Sequence, residues 1–511
     1  MTARLACIAQ RKRLAIAIAG LIPLIGRILL LGVLPIPKPA IQDEFSYLLA
    51  ADTFAHGRLT NPTPAFPEHF ETMQVLLHPS YASKYPPFSA LVMAAGQKLG
   101  GNPWFGVWFS MGVLCAVLCW ALQGWLPPPW AFAGSLIAAL QIGLVSYWTE
   151  SYWGGTCAAI GGALVVGAVP RLLERPRART AIALAAGLAI LANTRPYEGL
   201  LLALICLTWL AYAIRTVLIR IALPMLLVLL PVFLWMGYYN WRVTGNAREM
   251  PYTAHERQYG VPSPLLLQTT VPPTPAYSNE FLRHFWQVEF RGEWQAERNQ
   301  FWKAHLSDLI QLGRFFLGWP LLLSMIFLAR ALWRDPVARK ALLLAACFYA
   351  GAVFDARLFP HYAAPAAALA YILAACTLRA LPRYFAWSVA GLSVLITGMT
   401  LLTPENRYLF GPIDYHVQAK HAAIESRLAA VPGPQLVLVR YGPRHDPWEE
   451  LVYNRADLEQ AKIVWARSLS PSEDERLLRH FRGRTIWLLV ENGSWNLTRS
   501  YSSSLTQSIR K

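Results

Sequence analysis

Five short clusters in the chain carry side chains able to do chemistry. Asp43-Glu44 lies six residues beyond Pro37 and opens a helical pattern through Phe45, Leu48, Leu49 and Asp52. Adjacent helical residues project about 100° apart, so one carboxylate can enter a site while the other caps or pairs. Acids at a helix start are also favoured by the helix dipole alone. Tyr81-Ala-Ser-Lys84-Tyr85-Pro86-Pro87 sets a mobile ammonium beside a backbone stiffened by two prolines. Such a lysine can hold a phosphate or simply touch lipid headgroups. Asn193-Thr-Arg195-Pro196-Tyr197-Glu198 and Asp355-Ala-Arg357-Leu-Phe-Pro360-His361-Tyr362 each place an arginine near an acid, the makings of a site or of a plain structural bridge. Tyr147-Trp-Thr-Glu150-Ser-Tyr-Trp153 adds a carboxylate among aromatics of the kind that anchor at membrane interfaces.

The elements that position these clusters follow from hydropathy and charge. The 511 residues are 55% hydrophobic and only 15% charged, with a net charge of +17 and a mean hydropathy of +0.33; soluble proteins carry about a quarter charged residues. Residues 404–511 hold 15 Lys/Arg and 12 Asp/Glu, against 31 and 17 in residues 1–403. The chain thus divides into a membrane-embedded body and a water-soluble tail, which excludes a disordered chain, a coiled coil and a simple soluble enzyme. Apolar stretches near the length needed to cross a roughly 30 Å hydrocarbon layer fall at 14–36, 104–122, 128–147, 154–170, 180–194, 197–214, 217–239, 306–329, 341–355, 361–379 and 384–403.

Sixteen Lys and Arg sit at 1–13, 171–179, Arg215, Arg220, 330–340, Arg379 and Arg383. All face the cytoplasm if the apolar segment 87–99 is a re-entrant or interfacial helix that does not cross. Eleven crossings then put the N-terminus inside, and the long segments 37–103 and 240–305 and the tail outside. In that topology the five chemical clusters share one face. The expected fold is therefore an all-α polytopic membrane protein of about 11 transmembrane helices (residues 1–403) with a small soluble α/β domain (404–511). In the tail, helix-like 415–429 and 472–482 alternate with strand-like 435–440, 462–465 and 485–490. The basic excess is spent on topology, so nucleic acid is not an expected partner. The seven cysteines avoid the external segments and the tail, and no disulfide framework is indicated.

On these residues the chain resembles the GT-C class of integral membrane glycosyltransferases, near the protein O-mannosyltransferase and lipid A aminoarabinose transferase branch. The resemblance covers roughly residues 14–403. It rests on Asp43-Glu44 after the first membrane helix, on Lys84-Tyr85-Pro86-Pro87, which is similar to a Lys-Pro-Pro motif with Tyr85 inserted, and on Arg357, Tyr362 and Pro365. It implies a GT-C-like fold and transfer of a sugar, hexosyl or pentosyl, from a polyprenyl-phosphate-linked donor. The acceptor would be a lipid, glycan or protein on the external face of a membrane, with the bacterial inner membrane expected, the N-terminus cytoplasmic and the C-terminal domain periplasmic.

Under this reading Asp43 is the catalytic base, with Glu44 in reserve or as an orienting partner, and Lys84, Arg195 and Arg357 hold the donor phosphate. Glu150, Tyr252, His255, Glu256, His361 and Tyr362 line the cavity or the acceptor route. No cofactor is expected; a divalent metal is conceivable but no ligand spacing indicates one. Most aromatics of 240–305 are expected at the membrane interface. Two other functions fit less well. An oligosaccharide transferase or polymerase would need a second acidic ligand, for which Glu150 is the candidate. A transporter or flippase would show inverted repeats and charges at the bilayer midplane.

Overall fold

The computed structural model describes residues 3–144, 146–214, 218–263, 265–266, 273–275, 277, 279–355, 358–400, 415–442, 445–446, 450–491 and 495–500. Every apolar stretch read from the sequence falls on a helix. Among the described residues, six helices are both long and apolar enough to cross a membrane, at Lys12–Gly32, Trp104–Leu122, Thr156–Glu174, Pro196–Ala213, Ile219–Thr244 and Phe301–Phe327. The other five, at Pro128–Gln141, Ala178–Ala192, Pro336–Ala352, Ala367–Ala380 and Arg383–Thr400, run 14 to 18 residues. At 1.5 Å per residue most of these fall short of a full hydrocarbon layer. The body is thus a polytopic helical membrane fold in which, among the described residues, length and apolarity alone support six crossings.

Two further helices occupy the segment after the first apolar helix: α3 (Gln42–Ala55) and α4 (Pro87–Gly100), numbered after α1 (Ala3–Gln10) and α2 (Lys12–Leu29). α4 packs backbone to backbone on α5 (Trp104–Leu122). A Cβ on Gly96 would fall 2.1 Å from the Gly106 nitrogen, and one on Gly106 would fall 2.2 Å from the Val92 oxygen. No larger residue fits at either position without moving the helices apart.

The C-terminal domain carries a four-stranded sheet, β3 (Gln435–Arg440), β4 (Ile463–Arg467), β5 (Thr485–Glu491) and β6 (Trp495–Ser500), in the order β4-β3-β5-β6. The two short strands before it, β1 (Val75–Leu76) and β2 (Ala82–Ser83), form a hairpin. β3 pairs in parallel with β4 and β5, and β6 is antiparallel to β5. The partly parallel sheet is the one read from the sequence. β6 escaped that reading because Trp-Asn-Leu-Thr-Arg-Ser mixes polar residues into an edge strand.

β3 is buried on both faces, as a central parallel strand must be. Val437 and Val439 pack into the domain's own core, with Trp465, Trp487 and Leu489. Leu436 and Leu438 share a core with Leu49, Phe70, Val75, Leu77 and Tyr81, from the segment that holds α3 and the hairpin. Polar contacts complete this junction. The Ala456 amide donates to Asp52 at 3.0 Å, His69 Nδ1 meets the Arg467 carbonyl at 2.8 Å, and Phe45 stacks on Tyr453 at 4.3 Å.

Arg27, on α2, is fully buried and grips Glu150 through two hydrogen bonds of 2.6 and 3.0 Å, while also donating to the carbonyls of Leu34 and Pro35. Removing one partner of such a pair strands a charge without water. Glu150→Gln is expected to cost about 3–5 kcal/mol, seen as a lower thermal midpoint in detergent, and the double variant Arg27→Met/Glu150→Gln should recover much of it. An unchanged midpoint in Glu150→Gln would contradict this role.

Candidate active site

The site begins where the chain enters α3. The first amides of a helix lack partners within it, and here the buried Glu44 carboxylate reaches back to those of Ala40 at 2.7 Å and Ile41 at 3.2 Å. Its other oxygen accepts from the Tyr152 amide at 3.0 Å, tying α3 to the Tyr147–Trp153 loop. Burial pushes this carboxyl up to about 7 against the three amides. Asp43, one position earlier, is half-buried and faces a cavity, where it accepts a hydrogen bond from the Tyr85 phenol. Burial and Asp43 together keep that phenol protonated.

Hydrogen bonds hold the hairpin against α3. Ser46 Oγ donates to the Gln74 carbonyl at 2.6 Å and lies 2.7 Å from Ser83 Oγ. The Lys84 amide donates to the same carbonyl at 3.3 Å, and the Tyr85 amide to Ser83 Oγ at 3.1 Å. Pro86 and Pro87 then start α4, whose Phe88 amide bonds to the Asn193 carbonyl at 3.0 Å, beside Arg195.

Lys84 is buried, with its ammonium 4.6 Å from the ring of Tyr252, 5.3 Å from that of Tyr85 and 5.8 Å from that of Trp286. Burial lowers its pKa to about 8, opposed by the charges of Asp43 and Glu256. Arg195 lies 4.2 Å over the Tyr362 ring and, among the described residues, forms no ion pair with Glu198. His361 meets the Tyr147 hydroxyl through Nδ1 at 2.8 Å and stacks on Phe359. Burial, helped by Arg195, holds this imidazole neutral.

These groups surround one cavity of about 380 Å³. Of the residues singled out in the sequence it gathers Asp43, Lys84, Arg195, Tyr252, His361 and Tyr362. Four others stand elsewhere. Both Glu44 oxygens are engaged by backbone amides, and Glu150 belongs to Arg27. His255 is fully buried between the rings of Tyr259 and Trp286 and is kept neutral by burial. Glu256 acts on Lys84 through space from outside the lining, and burial raises its carboxyl to about 7. Arg357 lies outside the described residues.

Asp355, the acid of the fourth sequence cluster, lines the cavity too, and the lining also contains residues that sequence reasoning passed over: Gln42, Tyr47, Gln74, Glu289 and Glu293. Phe285, Glu289, Phe290, Glu293 and Trp294 follow a helical spacing that marks one face, a signal that was available. The aromatics of 240–305 accordingly divide. Trp241 and Trp302 are exposed as interface anchors would be, whereas Trp286 and Trp294 are buried and Phe285 and Tyr252 line the cavity. Among the described residues no group of three His, Cys, Asp or Glu is placed to hold a metal ion.

The helical body, the hairpin-bearing segment and the C-terminal sheet domain together make a GT-C-type membrane fold. Two solved structures share it across nearly their whole length: ArnT from Cupriavidus metallidurans bound to undecaprenyl phosphate, with 12% sequence identity and a TM-score of 0.51, and the same protein in the apo state, with 14% and 0.50. Each match covers 97% of this chain and 94% of that chain. The likeness therefore extends past residue 403 into the C-terminal domain, further than the sequence resemblance reached. No protein-family model matches the sequence, and no curated protein matches it.

An anion that contacts Lys84 needs the ammonium form, which is present below the pKa of about 8 and lost above it. Affinity for sulfate, an anion of fixed charge over this range, is expected to hold steady up to that pH and then to fall, by up to tenfold per pH unit. In Lys84→Arg the fall should disappear, because a guanidinium keeps its proton. Titration by thermal shift from pH 6 to 9.5 checks this; a flat profile in the unmodified protein would remove Lys84 from anion binding.

Proposed function

We propose that the protein is a membrane glycosyltransferase that moves a sugar, hexosyl or pentosyl, from a polyprenyl-phosphate-linked donor to a lipid, glycan or protein acceptor. Transfer takes place on the external face of the membrane, with inversion at the anomeric carbon. The observation that carries this reading is the meeting of Asp43, the cavity carboxylate at the start of α3, with two cations, Lys84 and Arg195, in a cavity that Asp355, Glu289 and Glu293 also line. The ArnT fold supports it, since one of those structures holds undecaprenyl phosphate. The charge pattern supports the orientation, with the N-terminus and basic loops in the cytoplasm and the C-terminal domain on the opposite, periplasmic side of a bacterial inner membrane.

In this mechanism Asp43 accepts the proton of the acceptor hydroxyl as its oxygen bonds to the anomeric carbon. The bond from that carbon to the phosphate oxygen breaks, and polyprenyl phosphate leaves. Lys84 and Arg195 stabilise the negative charge that grows on the leaving phosphate, with Arg357 assigned to the same task from the sequence. Arg can meet two phosphate oxygens in one plane, while Lys acts as a point charge. Tyr85 holds Asp43 by one oxygen, which leaves the other for the incoming hydroxyl. Glu44 serves the reaction by fixing the start of α3.

Loss of a general base slows a reaction by about 10²–10⁴-fold. Asp43→Asn is expected to lose turnover on that scale while keeping its thermal midpoint and its affinity for undecaprenyl phosphate. Transfer of radiolabelled sugar from a donor panel measures this; near-normal turnover in the variant would remove Asp43 from the base role.

A further inference from the structure

Gln74 is the residue whose conformation the fold explains least. Among the described residues it is one of two non-glycine residues with a positive φ, at 62°, a conformation disfavoured for a side chain with a Cβ. Its carbonyl is the joint of the hairpin, accepting from Ser46 Oγ and the Lys84 amide. Glycine would meet that backbone need without strain, so the architecture alone gives no reason for a glutamine. The side chain is buried and lines the cavity, yet its amide oxygen has no hydrogen-bond partner among the described residues. Gln42, beside Asp43, repeats the pattern: buried, on the cavity wall, with an unpaired amide oxygen. Buried polar groups are paired in the great majority of cases, so an orphan on a cavity wall marks a place that water or a ligand fills. Two unpaired amide oxygens in one cavity, on the walls that carry Asp43 and Lys84 and with the unpaired indole nitrogens of Trp153 and Trp294 on the same lining, point to one ligand that meets both amides.

We infer that Gln42 and Gln74 form the subsite for the transferred sugar, each bonding a ring hydroxyl between the base and the phosphate. This deepens the proposed function and rests on it. The unpaired atoms are acceptors, which a sugar hydroxyl can donate to, whereas an ionised phosphate and a polyprenyl tail carry no donor. The donor sugar is therefore one that keeps free hydroxyls on the carbons near the anomeric centre. The strain at Gln74 is retained because only a side chain there reaches the sugar.

The inference separates sugar recognition from phosphate recognition, and Gln74→Gly tests it by removing the amide while relaxing the backbone. Binding of undecaprenyl phosphate and of a panel of undecaprenyl phosphate hexoses and pentoses is measured by thermal shift. The unmodified protein is expected to bind at least one sugar-bearing lipid more tightly than the bare phosphate. Gln74→Gly should be as stable as the parent or more so and should bind bare undecaprenyl phosphate equally well. Its affinity for the preferred donor should fall about tenfold, the scale of one lost hydrogen bond. Gln74→Asn, which tolerates the left-handed backbone and keeps a shorter amide, should recover part of that loss. Equal donor affinity in Gln74→Gly and the parent would overturn the subsite while leaving the proposed function intact. Failure of the unmodified protein to bind any of these lipids would overturn both.

Discussion

The site depends on one buried carboxylate that does no chemistry in the proposed reaction. Glu44 gathers three backbone amides, two from the turn that enters α3 and one from Tyr152 in a loop 108 residues further along the chain. A desolvated carboxylate without such partners would be costly. With them it locks the start of α3 to the Tyr147–Trp153 loop, which Arg27 and Glu150 fasten to the first membrane helix. The rotation of α3 is then set, and with it the direction of Asp43. Adjacent acids thus divide the work: one is satisfied by the backbone, and its neighbour is turned into the cavity.

The other wall of the cavity comes from far along the chain, and the C-terminal domain links the two. It reaches α3 through the stacking of Tyr453 on Phe45 and the bond from Ala456 to Asp52. Arg467, buried and paired with Glu450, lies over the ring of Phe281, four residues before the cavity-lining Phe285. A domain that looks detachable by composition is thus packed against the elements that form the walls of the site. Its core includes Leu49, Phe70 and Tyr81 from the membrane-proximal segment, so the two parts share apolar burial rather than merely touching.

Much of this was legible in the sequence, and the reasons differ by feature. Long apolar runs can be satisfied only as helices in a membrane, so the places of the eleven apolar helices were readable, whereas the short lengths of five of them were not. Alternation of short β-branched runs with amphipathic segments marked the parallel strands of the tail, while β6, an edge strand with polar residues, left a weaker pattern. Asp43, Lys84 and Arg195 stood out because isolated charges beside apolar helices are expensive. The same criterion selected Glu44 and Glu150, because cost alone does not tell a charge paired by the fold from one left for a ligand. Partners supplied by Ala40, Tyr152 and Arg27 make that distinction, and only the fold reveals them. Gln42 and Gln74 were invisible for the opposite reason. A neutral amide carries no cost signal in a sequence, and it becomes informative only when it is buried without a partner.

In the proposed reaction a single carboxylate and a set of cations drive one direct displacement on a lipid-phosphate sugar. The most direct test is the anomeric configuration of the first product, read by NMR from a donor of known configuration before any equilibration. One displacement without a covalent intermediate gives the opposite configuration to the donor. Retention would require a second nucleophilic step and would contradict the account.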